Sequence, residues 1–169
     1  MQRRNCIIGL TIGLIAAIGW YLFRPELLFI HKRVNEQLPS SAEPISIVSS
    51  GRFHSVAHET KGMAMVYRLP DGQRVLRLTE FETSNGPDVR VYLVAADDAH
   101  DSKTVARASF VDLGEMKGNK GDQNYDVPRE VDLSKYRSVS IWCRRFAVNF
   151  ATAPLVAQAP RAAPAGSRR

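Results

Sequence analysis

Cys143 carries the most reactive side chain beyond the apolar start of this sequence. The chain has 2 cysteines, and the other one, Cys6, opens the apolar run, so Cys143 has no disulfide partner in the rest of the chain. A thiolate is a nucleophile and a metal ligand, and Arg144 and Arg145 directly after it would favour the ionised form. A buried thiol that packs as a small apolar side chain is the alternative.

The residues before Cys143 alternate as in a β-strand, which predicts where its side chain points. Successive side chains of a strand lie on opposite faces of the sheet. Cys143 then shares a core face with Val139 and Ile141, and Trp142 lies on the opposite face. Trp142 adjoins Cys143 in sequence and is a candidate neighbour of any group held near the thiol.

Histidine and aspartate side chains provide the other candidate ligands. His54 and His58 would share one face of a helix, but their surroundings read as extended, where this spacing separates them by about 13 Å. A second group of donors lacks the glycine and the terminal glutamate of a calcium loop and is typical of a solvated loop; it comprises Asp97, Asp98, His100 and Asp101. The sequence thus predicts no metal site.

Familiar catalytic and cofactor motifs are absent from the sequence. It contains no G-x-S-x-G nucleophile turn, no G-x-x-x-x-G-K-[ST] phosphate loop and no C-x-x-C-H site for covalent haem. Any haem would have to bind without a covalent link. No enzyme class is predicted.

Short alternating segments separated by turn residues fill the middle of the chain. Pro70 to Gly72 and Asn85 to Asp88 are turn sequences between segments with a period of two. This pattern predicts an all-β fold, a single antiparallel β-sandwich or barrel-like domain over residues 45–155. The expected core is Phe53, Val66, Leu76, Leu78, Val91, Leu93, Leu113, Val139, Ile141, Phe146, Val148 and Phe150.

The flanking regions predict attachment to a membrane. Residues 6–23 form an uncharged run of 18 residues behind Arg3 and Arg4, long enough for one transmembrane helix, and a cleaved signal peptide is the alternative. We expect a transmembrane signal anchor over residues 1–24, with the domain on the extracytoplasmic side of the cell membrane. Residues 25–44, with helical apolar spacing, are expected to form a juxtamembrane stalk, or a connector folded against the domain. The Ala- and Pro-rich residues 156–169 are expected to form a disordered tail.

The charge distribution argues against nucleic acid as a partner. The formal net charge is +6, but residues 45–155 hold 15 Lys and Arg against 14 Asp and Glu. The basic excess therefore lies in the flanking regions, and a basic binding face on the domain is not expected.

Several motifs, in order, resemble a known family. They include NGPDVRVYL (residues 85–93), VDLGEMKGNKGDQNYDVP (residues 111–128) and VDLSKYRSVSIWCRRFAVNFATAPL (residues 131–155). Together they resemble the DM-thirteen or electron-transfer domain, which often accompanies DOMON domains, and the resemblance covers about residues 45–155. It implies a compact β domain with a redox cysteine, which falls on Cys143 and acts as a thiol or by holding a haem-like cofactor. It also implies a redox protein as partner.

Two functions from different classes follow. In the first, a membrane-attached redox module uses Cys143, with Trp142, Tyr92 and Tyr125 as candidate neighbours and a non-covalent haem-like group or no cofactor. In the second, a β-sandwich binding or adhesion module has a structural Cys143. Its partner is recognised by the exposed loop Asn85, Gly86, Pro87 and Asp88.

Overall fold

The computed structural model describes residues 2–23, 31–39 and 44–158. Helix α1 (Gln2–Phe23) is followed by a β-rich region that includes one short helix, α2 (Ser102–Arg107). The strands are β1 (Arg33–Asn35), β2 (Ser46–Arg52), β3 (His54–Ser55), β4 (Lys61–Arg68), β5 (Arg74–Glu82), β6 (Val89–Val94), β7 (Phe110–Glu115), β8 (Lys120–Val127), β9 (Ser138–Cys143), β10 (Val148–Pro154) and β11 (Val156–Ala157).

Two sheets form a β-sandwich, which confirms the predicted β architecture. One sheet has six strands in the order β1-β8-β5-β4-β2-β11, and the other has five in the order β3-β10-β9-β6-β7. Neighbouring strands are antiparallel except β1 and β8, which run parallel. The six-stranded sheet is therefore mixed, where the sequence predicted an antiparallel one.

The main core lies between the sheets and contains most of the residues that alternation selected. Leu76 and Leu78 of β5 are fully buried there, as are Val139 and Ile141 of β9. The prediction that Phe146 is a core residue is wrong, because Phe146 belongs to the turn before β10 and is 47% exposed. Leu113 and Val148 are only partly buried at the margin of this core.

A second, smaller core lies on the outer face of the five-stranded sheet. It consists of Tyr92, Val94, Ala99, Val105 and Trp142. Helix α2 contributes Val105, and the helix begins at Asp101, whose carboxylate accepts a hydrogen bond from the Thr104 amide. The solvated loop predicted around Asp97, Asp98, His100 and Asp101 therefore ends in the N-terminal cap of a helix.

Residues 31–39 run along the six-stranded sheet. They do not form a helix, although the apolar side chains of the predicted stalk have a helical spacing. Arg33, Val34 and Asn35 form β1 and pair with Lys120 to Asp122 of β8. Gly121 makes this approach possible, because a Cβ at that position would lie 2.0 Å from the Val34 carbonyl oxygen. Its φ of +91° also favours glycine.

The two ends of the chain differ from the predictions in part. Helix α1 has 22 residues, and its large apolar side chains are exposed wherever they are described. Across the part of the chain that the structure describes, no helix combines the length and apolarity that a membrane crossing requires, so the transmembrane helix predicted for residues 6–23 is not supported.

Val156 and Ala157, placed in the predicted tail, form β11 against β2. The rest of that tail from residue 159, and residues 24–30 and 40–43 of the predicted stalk, lie outside the described residues.

Candidate redox site and histidine cluster

Cys143 ends β9, with Val89 of β6 on one side and Val148 of β10 on the other. Its side chain is fully buried and belongs to the main core between the sheets. Val139 and Ile141 share that core, whereas Trp142 belongs to the outer core, so the predicted alternation is confirmed. The thiol is thus enclosed by apolar side chains rather than presented at a surface.

The turn after Cys143 is fastened to the loop before β6. The Arg144 amide donates a hydrogen bond to the Asp88 carbonyl at 2.9 Å, and its Nε donates to the Asp88 carboxylate at 2.8 Å. This hydrogen bond and the carboxylate charge raise the pKa of Arg144 above its ordinary value. Because its guanidinium is engaged with Asp88, the expectation that Arg144 stabilises a Cys143 thiolate finds no support.

The predicted binding loop, residues 85–88, is half-buried and packed into the fold. A Cβ on Gly86 would lie 2.9 Å from Val89 Cγ2 and 3.3 Å from Phe150 Cζ, so the glycine is required by close packing. Asn85 Oδ1 accepts a hydrogen bond from the Gly86 amide. Of the four loop residues, Asn85 also borders a cleft, and the partner role of the loop stays a prediction.

That cleft has a volume of about 300 Å³ and a polar, charged lining. Lys120 and Glu82 form an ion pair of 2.8 Å at its wall. The complete lining is His31, His58, Glu59, Lys61, Glu82, Thr83, Ser84, Asn85 and Lys120. A small polar molecule in this cleft would lie beside both positively and negatively charged side chains.

Three aromatic rings form a row that leads from the outer core to the surface. The Trp142 and Tyr92 ring centroids are 6.4 Å apart, and Tyr92 stacks on Phe110 at 4.4 Å with nearly parallel planes. Phe110 is 48% exposed. Burial, followed by the nearby charge of Asp112, raises the pKa of Tyr92.

Tyr125, the other tyrosine predicted near the thiol, lies in the main core. Its hydroxyl donates to Gln123 Oε1 at 2.7 Å and accepts from the Lys117 amide at 3.1 Å. Burial raises the pKa of Tyr125 well above its ordinary value. The phenol is therefore held neutral in a fixed hydrogen-bond arrangement.

A haem-like group does not fit at Cys143 in this conformation. The thiol is surrounded by packed core residues, and it lines neither the charged cleft nor an apolar groove of about 570 Å³ beside Leu133 and Leu155. A macrocycle would have to displace core side chains to reach the sulfur, at a cost of several kcal/mol, on the order of that for large core substitutions.

A cluster that the sequence did not reveal joins His54, Asp98 and His100. His54 Nε2 lies 2.7 Å from Asp98 Oδ1, and His100 Nε2 lies 3.2 Å from Asp98 Oδ2. The two imidazole centroids are 4.9 Å apart. One nitrogen or oxygen from each residue lies within 4.8 Å of the other two, so these three residues have a geometry that is able to hold a metal ion.

The neighbours that the sequence grouped with these residues have other contacts. His58 packs its ring on Phe150 at a centroid distance of 3.8 Å. Asp97 forms an ion pair with Arg137, and Asp101 caps α2. No sequence signal could have joined His54 to Asp98, because 44 residues separate them and they meet through the order of strands β3, β10, β9 and β6 in one sheet.

Comparison with known proteins identifies the family. The family model described as "Electron transfer DM13" matches residues 52–155. No curated protein matches, and no solved structure matches. The matched segment begins in β2, ends directly after β10, and includes Cys143, both cores and the histidine cluster. Since it spans more than half of the chain, this protein belongs to the DM13 electron-transfer family.

Proposed function

We propose that this protein is an electron-transfer module in which Cys143 is the redox-active group. Family membership supports the electron-transfer role. The observation that carries the finer assignment is the position of the domain's one cysteine, buried at the end of β9 and next in sequence to the aromatic row that reaches the surface.

Complete burial restricts the chemistry of the thiol. Thiol–disulfide exchange requires direct attack on sulfur, which a partner cannot make on an enclosed side chain. An electron, in contrast, can pass between a buried group and a partner protein through a short layer of protein. In the proposed step, the S–H group gives one electron to an oxidising partner protein and its proton to solvent, which leaves a sulfur radical. The reverse step takes up one electron and one proton.

The aromatic row offers a route between the thiol and a partner. Trp142 follows Ile141 and precedes Cys143 on β9, and Tyr92 lies between Trp142 and the exposed Phe110. Indole and phenol rings are the side chains most readily oxidised by one electron after sulfur. A redox partner would therefore dock where Phe110 meets the surface.

Attachment to a membrane with the domain on the extracytoplasmic side is the second part of the proposal. The described apolar side chains of α1 are exposed, and Arg3 and Arg4 precede them in sequence. An exposed apolar helix gains free energy from contact with lipid, and basic residues beside it favour anionic headgroups.

Electron counting tests the redox assignment. Folded full-length chain is mixed with a one-electron inorganic acceptor strong enough to oxidise a thiol, hexachloroiridate(IV), and the electrons accepted per chain are measured by absorbance. We expect Cys6→Ala to match the wild type and Cys143→Ala to lose one electron per chain. An unchanged count in Cys143→Ala would contradict the proposal.

A binding module is the second candidate, and the charged cleft beside Asn85 favours it. In that case Cys143 is a packing residue, and a ligand with both polar and charged groups occupies the cleft. Paired substitutions Lys61→Ala and Lys120→Ala would then abolish ligand binding, while Cys143→Ala would leave it intact.

A further inference from the structure

We propose that His54, Asp98 and His100 form a binding site for one divalent transition-metal ion. This site is separate from Cys143, and it does not depend on the redox assignment. Two imidazole nitrogens and one carboxylate oxygen are the donors that zinc, copper, nickel and cobalt ions prefer, whereas calcium and magnesium take oxygen donors.

The distances suit an ion after small side-chain movements. Zinc lies about 2.0 to 2.2 Å from nitrogen and carboxylate ligands, so two ligand atoms of one ion are at most about 4.4 Å apart. The three donor atoms already lie within 4.8 Å of one another. The His100 side chain is 80% exposed and has space to make the remaining adjustment.

Strand β10 holds the backbone that carries His54 and Asp98. His54 is the register partner of Thr152 in β10. The Thr152 hydroxyl and the Asn149 side-chain amide both donate to the Ala99 carbonyl, at 2.9 and 3.0 Å, and both residues are fully buried. The strand with His54 and the loop with Asp98 are thus tied to the same strand. Hydrogen bonds that fix the backbone next to a ligand hold that ligand in place before the metal arrives.

Asp98 is itself oriented for this role. Its Oδ1 accepts a hydrogen bond from the Ala99 amide at 2.7 Å, while each of its oxygens faces one imidazole. An ion at this site would take the place of the contacts between the carboxylate and the two imidazoles, with one nitrogen of each imidazole and one carboxylate oxygen as its ligand atoms.

The test uses full-length chain without a histidine tag and Zn²⁺ alone as the probe, in competition with a chromogenic chelator. We expect one ion per chain, with affinity lowered about 10-fold or more by His54→Ala, by Asp98→Asn and by His100→Ala. His31→Gln is the matched control, since His31 is an exposed histidine outside the cluster, and it should leave affinity unchanged. Co²⁺ should give a visible spectrum that His100→Ala abolishes.

Further variants distinguish loss of the metal site from loss of the fold and from any effect of Cys143. His100 is exposed, so His100→Ala tests the site even if His54→Ala fails to fold. Cys143→Ala should bind Zn²⁺ as the wild type does, which separates this site from the proposed redox group. Absence of stoichiometric binding at pH 7.5, or an equal loss of affinity in His31→Gln and His100→Ala, would overturn the proposal.

Discussion

The thiol of Cys143 occupies an environment that tolerates sulfur better than oxygen. It is fully buried in the apolar core between the two sheets. We expect Cys143→Ser to lower the free energy of unfolding by about 1 to 3 kcal/mol, because its hydroxyl would be buried in apolar surroundings. Cys143→Ala should cost a similar amount through the small cavity it leaves. Urea unfolding measures both, with exposed Ser109→Ala as the control.

Gly121 permits a second prediction at the scale of one residue. Gly121→Ala combines an unfavourable φ with a Cβ placed against the Val34 carbonyl, whereas Gly114→Ala has a φ of +120° but open space around the added Cβ. We expect a cost of about 1 kcal/mol for Gly114→Ala and at least about 2 kcal/mol for Gly121→Ala. Equal costs in urea unfolding would show that the contact with β1 contributes nothing.

Residue types and alternation were enough to predict which way Cys143 and Trp142 point. They were not enough to find the ion pair of Arg144 with Asp88 or the cluster of His54 with Asp98, because both depend on strand pairings between distant segments. Phe146 was assigned to a strand because it is apolar and alternates, but the tight turn that begins at Arg144 places it at the surface. A turn between two apolar segments leaves little trace in the pattern.

Among the secondary-structure elements, edge strand β1 is held by the carboxylate of Glu36, the residue that follows it. Glu36 accepts hydrogen bonds from Lys117 Nζ at 2.9 Å and from the Asn124 amide at 2.7 Å. Burial raises the pKa of Glu36, but these hydrogen bonds and the charges of Lys117 and Arg77 outweigh it, so the pKa lies below its ordinary value of 4.5.

A lowered carboxyl pKa contributes stability that is present above the ordinary value and lost as pH falls through the folded value. We expect Glu36→Gln to lower the free energy of unfolding at pH 7 by about 0.2 to 1 kcal/mol, the range of exposed ion pairs. The difference from the wild type should shrink as pH falls below 4.5 and the Glu36 carboxylate takes up a proton in the folded state. Exposed Glu130→Gln is the control, and a pH-independent difference for Glu36→Gln would contradict the electrostatic explanation.

The strands of the central segment were predictable because they alternate and are separated by turn residues. The short strands β1, β3 and β11 were not, because two or three residues carry no period. Residues 25–38 instead show a helical apolar spacing, and the edge of the sheet overrides it at residues 33–35. Tertiary pairing decided the structure of residues 33–35.

The whole molecule combines an apolar helix with a β domain that has its own core. Removing residues 1–24 should leave the domain folded, with a circular dichroism spectrum that loses the helical contribution of α1 but keeps that of the β-sheets, and with one cooperative urea transition. The full chain should sediment with anionic lipid vesicles and the shortened chain should remain in solution. Precipitation of the shortened chain without a cooperative transition would show that the domain depends on α1.

The near-neutral domain leads to a further expectation for the whole chain. A protein shortened to end at Leu155 should show only weak, salt-sensitive association with DNA or RNA, because few phosphate charges would be neutralised. Fluorescence anisotropy with labelled oligonucleotides measures this, and the full-length chain is the comparison. Sub-micromolar binding by the shortened chain at physiological salt would contradict it.

Substitution within the aromatic row tests the route of the electron. Trp142→Phe keeps an aromatic ring in the outer core but replaces a readily oxidised side chain. We expect slower electron transfer to hexachloroiridate(IV), the acceptor used for electron counting. Tyr67→Phe, on the other sheet, should leave the rate unchanged. Equal rates for both variants would exclude the row as the route.

The most direct test of the central claim is voltammetry of the folded, full-length chain on an electrode. Wild type and Cys6→Ala should each give a reversible one-electron wave, and Cys143→Ala should give none while keeping a cooperative unfolding transition. A wave of the same size and potential in Cys143→Ala would contradict the assignment of Cys143 as the redox group.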